Sequence, residues 1–441
     1  MSCLKRSAAI LAFVPLLLSS SSPQSRIADL VRKGIEEGRI VYRLTEPDEV
    51  KSLLGAPIKE STRPDGGMQI LEWQYEGAAF MFGKMRDDSG PFTLRRATLD
   101  GKEADIGRDR RLVLRTAADL AKMDFFTGVQ NVSLARLDLK DQAAALEKLP
   151  FDSLTAWPPA DKLPAGFSPA EILESGKNPG LSVRSLHSEG IDGRRISIAI
   201  IDQPLIQGHQ EYAHALARYE ATGLEDFGPQ MHGPAVLSIA AGKSCGVAPA
   251  ARVYFFAVPM WKDDNGIYIE AMKKIFALND KLPPAERIRA VSISTGMFSS
   301  YPRYDEWEKI CREAEGRGVF LLTCDGSVLK YGTLSRILGK NPDDPNSYIE
   351  GKYGFKDLVL RVPAGNRTIA SPRGADVYTY DRIGGMSWGA PYIVGLAALA
   401  FQTNPGLASK DIVPLLVETA TKTAAGPIVN PRAFVRRGGS R

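Results

Sequence analysis

The chain has 441 residues, which is long enough for two or more domains, and 44% of them are hydrophobic and 24% charged, as is ordinary for a globular protein. Its formal net charge of +5 is small for this length, and no basic cluster interleaves with aromatic residues. The composition therefore argues against nucleic acid as a partner.

The N-terminus has the features of a secretory signal peptide. Lys5 and Arg6 precede an apolar core at residues 8–18, and a run of serines and Pro23 follow it. The apolar core is too short to span a bilayer. We therefore expect residues 1–22 to direct export and to be removed. The mature protein would then be secreted or periplasmic, without stable membrane insertion.

The next part of the chain predicts a small α+β region at residues 26–165, followed by a proline- and glycine-rich linker at residues 166–190. Within the first region, the pattern predicts a helix at 46–54 and strands at 70–75, 78–85 and 91–99.

From residue 190 on, predicted strands and helices alternate. Strands are expected at 195–202, 251–260, 287–294, 318–324 and 358–363, and helices at 232–242, 266–278, 304–316, 388–402 and 409–421. This alternation predicts an α/β fold, a doubly wound and mainly parallel sheet with helices on both faces. Further expectations are a helix-like run at 212–219, a long polar insertion without strong periodicity at 326–357, and a C-terminal tail at 426–441.

Ser387 is a candidate nucleophile because of where it stands in this pattern. It lies between a glycine turn at 384–385 and an apolar run at 392–401 that indicates a buried helix. A hydroxyl at a helix N-terminus is next to free backbone N–H groups and the positive end of the helix dipole, which stabilise a developing anion. A nucleophilic serine for acyl transfer would be placed there. The alternative is that Ser387 only caps its helix.

His232 is the candidate base among four histidines. It begins a short apolar helix with proline in the first turn and glycine at the end, so its imidazole would project from a helix start. His187 lies in a polar stretch, and His214 lies in the helix-like run, so both are expected to be surface or packing residues. The alternative for His232 is a helix cap.

Asp202 is the candidate residue that orients the histidine. It ends a run of β-branched and apolar residues at 196–201 that predicts a strand buried on both faces. The carboxyl ends of such strands lie in the crevice where open α/β sheets place ligands. A carboxylate there could hold an imidazole in the correct tautomer. The alternative is that Asp202 caps the following turn.

In the order Asp202, His232, Ser387, these segments resemble the subtilisin-like serine peptidases over residues 180–425. The Ser387 segment is similar to the family's Gly-Thr-Ser-Met-Ala-x-Pro, and the His232 segment to its His-Gly-Thr-x-Val-Ala-Gly. The stretch at 246–251 matches one that follows that helix in the family. The resemblance implies a serine endopeptidase in which Ser387 attacks a peptide carbonyl, His232 moves the proton and Asp202 orients His232. It also makes His209 the family's non-catalytic histidine.

The family's substrate-binding strand resembles Ser294, Thr295 and Gly296, where a glycine permits close approach by an extended peptide. The resemblance also allows residues 26–165 to be an inhibitory propeptide, with an accessory domain as the other reading of that region.

Several positions depart from the family's pattern. Gln203 and Pro204 follow the aspartate, and Met386 and Trp388 flank the serine. Where the family has its oxyanion-hole asparagine, this chain has Asp325.

A protonated Asp325 would donate a hydrogen bond to the oxyanion. The alternative is that it caps its turn while Asn341 or Asn346 fills the pocket. These departures keep open a second function, a catalytically weak or inactive pseudoprotease that binds peptides. An α/β-hydrolase fits worse, since the Gly-x-Ser-x-Gly elbow is missing.

No cofactor is indicated. Subtilases often bind structural calcium, but no ligands for it can be placed, and no Cys/His spacing predicts zinc. Cys245, Cys311 and Cys324 are expected to be free thiols, mostly buried. The expected partner is a polypeptide substrate, and the sequence does not indicate an oligomeric state.

Overall fold

The computed structural model describes residues 23–439, except 66–67, 87–90, 108–109, 223, 225–226 and 263. The predicted signal peptide lies outside the described residues. The chain forms two compact units, which divide in the sequence between Leu112 and Val113.

The first unit is an antiparallel sheet with two helices. Its elements are α1 (Pro23–Glu36), α2 (Pro47–Leu54), β1 (Lys59–Asp65), β2 (Met68–Tyr75), β3 (Ala78–Met85), β4 (Thr93–Leu99) and β5 (Lys102–Glu103). The strands pair in chain order. Val31 of α1 and Val50 of α2 are buried in one cluster with Trp73, Phe80 and Phe82 of the sheet. The predicted helix at 46–54 and the three predicted strands are confirmed.

The second unit contains the remaining elements. Its helices are α3 (Ala143–Leu146), α4 (Pro169–Gly176), α5 (Val183–Ser188), α6 (His232–Ala241), α7 (Gly266–Asn279), α8 (Tyr304–Gly316), α9 (Met386–Thr403), α10 (Ile412–Glu418) and α11 (Pro431–Gly439). The strands, after β6 (Leu112–Val113) at the division, are β7 (Val132–Ser133), β8 (Phe151–Asp152), β9 (Ser197–Asp202), β10 (Leu216–Ala221), β11 (Arg252–Ala257), β12 (Ile288–Ile293), β13 (Phe320–Leu322), β14 (Tyr331–Arg336), β15 (Tyr348–Gly354), β16 (Leu360–Gly365), β17 (Arg367–Ala370), β18 (Tyr378–Asp381), β19 (Thr421–Thr423) and β20 (Gly426–Ile428).

A parallel sheet in the order β10-β11-β9-β12-β13 lies at the centre of the second unit. Every residue of its middle strand β9 is buried. Ile198 and Ile200 belong to the core cluster that contains α6 and α9, whereas Ala199 and Ile201 belong to the cluster that contains α7 and α8. Alternate residues of β9 therefore face different helices, which explains its continuously apolar sequence. The predicted α/β class and the helices at 232–242, 266–278, 304–316 and 388–402 are confirmed.

The interpretation of residues 326–357 as an insertion without regular structure is wrong. This segment supplies β14 and β15, which pair antiparallel, and β14 also pairs parallel with β16. Polar residues hid the pattern, because Thr333 is fully buried and its hydroxyl donates to the Tyr353 carbonyl oxygen at 2.8 Å. A register shift between Gly332 and Leu334 further interrupts the alternation of side chains.

The prediction of a linker at residues 166–190 is also wrong. This segment contains α4 and α5, and Val183 and Leu186 are completely buried in the main core. The preceding residues from Val113 on belong to the second unit, where Phe151 of β8 pairs with Tyr380 of β18. The division at Leu112 is thus earlier than the boundary near residue 165 that the sequence indicated.

Two smaller interpretations need correction. Residues 426–441 are not a simple tail, because β20 and α11 lie within them and Phe434 and Val435 are fully buried. The helix-like run at 212–219 is a turn followed by the edge strand β10. No helix within the described part of the chain is both long enough and apolar enough to cross a membrane.

Candidate active site

Asp202 lies at the carboxyl end of β9, fully buried, and uses one oxygen to hold two groups. Its Oδ1 accepts from the Gln203 N–H and from His232 Nδ1, each at 2.7 Å. Its Oδ2 is buried without a hydrogen-bond partner among the described residues. Because a carboxylate only accepts, the His232 proton is on Nδ1, and Nε2 is left as the basic nitrogen. The structure thus brings the predicted base and its orienting residue together.

A close approach of backbone to backbone makes this pair possible. His232 is the first residue of α6, and a Cβ atom added to the following Gly233 would lie 2.1 Å from the Gln203 carbonyl oxygen. Only glycine fits there, so the start of α6 packs directly against the turn after Asp202. This contact explains the His-Gly pair in physical terms.

Ser387 is the second residue of α9 and follows a tight turn. Gly384 in that turn has φ of +60°, and a Cβ atom there would lie 2.3 Å from the Ala364 carbonyl carbon. Asp381 holds the same turn, since its Oδ1 accepts from the N–H groups of Ile383 at 3.0 Å and Gly384 at 2.7 Å. Burial raises the pKa of the Asp381 carboxyl, which these two hydrogen bonds partly oppose.

The Ser387 hydroxyl points to a backbone oxygen and not to the histidine. Its Oγ donates to the Ser294 carbonyl oxygen at 2.9 Å, and Ser294 Oγ donates to the Ser387 carbonyl oxygen at 3.0 Å. The described residues show no hydrogen bond between Ser387 and His232. Proton transfer to His232 therefore requires the Ser387 hydroxyl to leave Ser294.

Trp388 packs against the candidate base. The centroids of its indole and the His232 imidazole are 5.1 Å apart, with the ring planes inclined by 46°. Trp388 is buried, and the His232 side chain is only 16% exposed. The indole therefore restricts both the orientation of the imidazole and its access to water.

Asp325 lies where the resemblance placed an oxyanion-hole residue, but both of its oxygens are engaged as acceptors. Oδ2 accepts from the Met297 N–H at 3.0 Å and Oδ1 from the Ser327 N–H at 2.8 Å. It makes no hydrogen bond with Ser387 or His232 among the described residues. This geometry favours the alternative in which Asp325 holds its turn.

Asn341 and Asn346 are exposed and bonded within their own loop, to the Asp343 N–H and to Asp344 Oδ1. The Ser387 N–H at the start of α9 remains as a backbone donor for an oxyanion.

Ser294, Thr295 and Gly296 directly follow β12, beside Ser387. The Thr295 carbonyl oxygen accepts from the Cys324 N–H at 2.9 Å, which ties this segment to the end of β13. The Phe298 ring covers Gly296, because a Cβ atom there would lie 2.7 Å from it. Peptide binding by this segment stays a prediction.

The other histidines are each bonded through Nε2 to a backbone carbonyl oxygen: His187 to Val247 at 2.8 Å, His209 to Val377 at 3.0 Å and His214 to Pro249 at 2.8 Å. Burial lowers the pKa of His187 and of His209. These contacts fit packing roles.

A cavity of about 330 Å³ opens beside His232 and Ser387, and sequence reasoning missed most of its wall. Phe125, Phe126 and Tyr353 line it, and they lie outside the motifs that carry the resemblance. The adjacent phenylalanine pair in a turn-rich segment was the only available signal.

Cys245, Cys311 and Cys324, the cysteines among the described residues, are free thiols, and burial raises the pKa of Cys324 to about 12 and of Cys311 to about 11. Among the described residues, no group of three or more His, Cys, Asp or Glu side chains is arranged to hold a metal ion.

Comparison with known proteins gives a curated relative and several similar structures. No family model matches the chain. The chain is 23% identical over 273 residues to the subtilisin-like protease PopC of Myxococcus xanthus (strain DK1622). The matched stretch covers 54% of this chain and 58% of that protein.

Among solved structures, the subtilase cytotoxin SubAB gives a TM-score of 0.47 at 15% identity, covering 61% of this chain and 96% of that one. The prenylagaramide maturation protease PagA gives a TM-score of 0.45 at 19% identity, covering 58% of this chain and 98% of that one. The motifs that carry the resemblance lie on a parallel α/β sheet, and a subtilisin-like protease is a relative in sequence: the chain is a divergent protein similar to the subtilisin-like proteases.

Proposed function

We propose that this protein is a serine endopeptidase that hydrolyses polypeptides through Asp202, His232 and Ser387. The observation that carries the proposal is the 2.7 Å hydrogen bond between buried Asp202 and His232, next to a serine at the start of a buried helix. Neither a helix cap nor a turn cap requires this pairing of a strand-end carboxylate with a histidine from another element.

The proposed reaction has two steps. Ser387 Oγ attacks the peptide carbonyl carbon while its proton passes to His232 Nε2, and the Ser387 N–H stabilises the oxyanion. His232 then gives that proton to the leaving amine, so that the C–N bond breaks and an acyl-enzyme forms. Water then attacks the ester and loses its proton to His232, which returns that proton to Ser387 Oγ as the bond between the acyl carbon and Oγ breaks and the acid is released. Asp202 stabilises the imidazolium, and its unpartnered Oδ2 leaves the carboxylate poorly solvated, which strengthens this interaction.

Peptide hydrolysis by single variants tests the proposal. We expect Ser387→Ala and His232→Ala each to lower kcat by several orders of magnitude while the melting temperature stays close to that of the wild type. His214→Ala is the control, because its imidazole is exposed and, among the described residues, hydrogen-bonded only to the Pro249 carbonyl oxygen. Hydrolysis that survives in both catalytic variants would contradict the assignment.

A pseudoprotease that binds peptides is the second candidate. It is favoured by the Ser387 hydroxyl, which donates to Ser294 and not to His232, and by Asp325, whose oxygens accept backbone N–H groups. This candidate predicts peptide binding without turnover, so the same assay separates the two functions.

The doubly wound arrangement of the sheet and the export of the protein are also proposals. We infer a doubly wound, subtilisin-like sheet from the burial of alternate β9 residues against different helices. We also propose export through residues 1–22, which Edman sequencing of protein recovered outside the cytoplasm would test by a mature N-terminus near Pro23.

A further inference from the structure

The cavity beside the catalytic residues is mainly apolar and aromatic. His232, Ser387 and Trp388 line it together with Phe125, Phe126 and Tyr353. Met231, Ile383 and Met386 complete much of the lining. Phe126 is 47% exposed and Met231 48% exposed, although both side chains are large and apolar. Exposed apolar side chains grouped at a cleft indicate a surface that is covered when a ligand binds.

The phenylalanine pair is held in place by its own turn. Asp124 is buried, and its Oδ1 accepts from the N–H groups of Phe126 at 3.0 Å and Thr127 at 2.7 Å. Gly128 ends the turn with φ of +46°, and a Cβ atom there would lie 2.2 Å from the Pro150 carbonyl oxygen.

Lys352 Nζ lies 4.6 Å from the centroid of the Phe125 ring, a cation–π contact that also holds this ring. The aromatic wall is therefore supported before any ligand arrives, which reduces the entropy lost on binding.

The position of His232 identifies the part of a substrate that this cavity would receive. In the proposed reaction, His232 gives its proton to the leaving amine, so the leaving group lies on the His232 side of Ser387. The cavity is bounded by His232 and by Trp388, which packs on His232, but not by residues 294–296. It therefore lies on the leaving-group side of Ser387, and residues 294–296 do not line it.

We propose that this cavity selects a large apolar or aromatic side chain on the residue that follows the cleaved bond, with Phe125 and Phe126 as specificity-determining residues. The inference rests on the proposed peptidase function and specifies its substrate class. A cavity of about 330 Å³ has room for such a side chain, and its apolar lining offers a carboxylate little to replace the water it would lose.

Quenched fluorescent peptides that differ only in the residue after the cleaved bond test the inference. We expect kcat/KM for the phenylalanine peptide to exceed that for the glycine peptide by about 10- to 100-fold, with the aspartate peptide poorest. Phe126→Ala should reduce the phenylalanine-to-glycine ratio to about threefold or less, because it removes half of the aromatic pair.

Phe298→Ala is the matched control. It is the same residue type with the same 47% exposure, but its ring covers Gly296 and does not line the cavity. We expect it to keep the phenylalanine-to-glycine ratio within about twofold of the wild type. Equal cleavage of all peptides by the wild type, or an equal fall of the ratio in both variants, would overturn the inference while leaving the peptidase function standing.

Failure of the peptidase function gives a different result, because no peptide is then cleaved by the wild type. Fluorescence anisotropy with the uncleaved peptides then decides the inference. Tighter binding of the phenylalanine peptide that is lost in Phe126→Ala would support an aromatic-selective binding site. Equal affinity for the phenylalanine and glycine peptides would overturn it.

Discussion

Replacing Asp202 by asparagine separates the charge of this side chain from its shape. In the wild type, Oδ1 accepts from both Gln203 N–H and His232 Nδ1, and Oδ2 has no hydrogen-bond partner in the described part of the chain. If the asparagine oxygen takes the place of Oδ1, both hydrogen bonds survive, but the amide NH₂ is buried without an acceptor, which costs about 1–3 kcal/mol. If the amide is flipped, its NH₂ faces the Gln203 N–H and forces the His232 proton onto Nε2, so that the base is lost.

Both orientations predict a large loss of activity with a moderate loss of stability. A comparable change in a chymotrypsin-type triad lowers kcat about 10,000-fold, and we expect a loss of about 1,000- to 10,000-fold here. Steady-state peptide hydrolysis and chemical unfolding measure the two quantities.

Asp152→Asn is the matched control, since Asp152 is also buried and its Oδ1 also accepts a backbone N–H, that of Asn131. Among the described residues its Oδ2 likewise lacks a hydrogen bond, and the Arg373 guanidinium lies 3.7 Å from it. This variant should lose stability but keep its activity. Activity of Asp202→Asn within about tenfold of the wild type would refute the role given to Asp202.

Two further predictions follow from buried polar groups. Burial lowers the pKa of His209 below its ordinary 6.5, and the Val377 hydrogen bond and the carboxylates of Glu211 and Asp376 only partly offset this. As the pH drops, the unfolded chain therefore takes up a proton on this histidine before the folded chain does, so stability falls below pH 6.5. His209→Gln should therefore flatten the decline of melting temperature between about pH 6.5 and 5, and an unchanged slope would contradict this. Asp325→Asn should lower stability by about 1–3 kcal/mol without raising turnover at any pH, because it replaces one of two oxygens that accept backbone N–H groups. Faster turnover in that variant at neutral pH would instead assign the side chain to the oxyanion hole.

The sequence predicted those elements in which burial is continuous. β9 and α6 are almost entirely buried, so their composition alone marks their ends, and with them Asp202 and His232. The order of the three candidate residues and the glycine turn before Ser387 predicted the rest of the candidate site.

Elements built from polar or short segments escaped prediction. β14 buries Thr333 through a hydrogen bond, which interrupts its hydrophobic alternation. α11 is only nine residues long and buries few apolar side chains, so its pattern is too short to stand out in the sequence. The aromatic wall escaped for another reason. Phe125 and Phe126 lie more than a hundred residues before His232 in the chain, and only the folded second unit brings them to the site. Local sequence patterns contain no information about such a contact.

Labelling of the purified protein with a fluorophosphonate probe tests the central claim most directly. The probe needs a nucleophilic serine with a functioning base, so we predict a covalent adduct on Ser387, located by mass spectrometry of the digested protein and absent from Ser387→Ala. If the folded protein stays unlabelled under conditions in which a control subtilase reacts fully, or if the adduct is found on a different serine, the Asp202–His232–Ser387 assignment is contradicted.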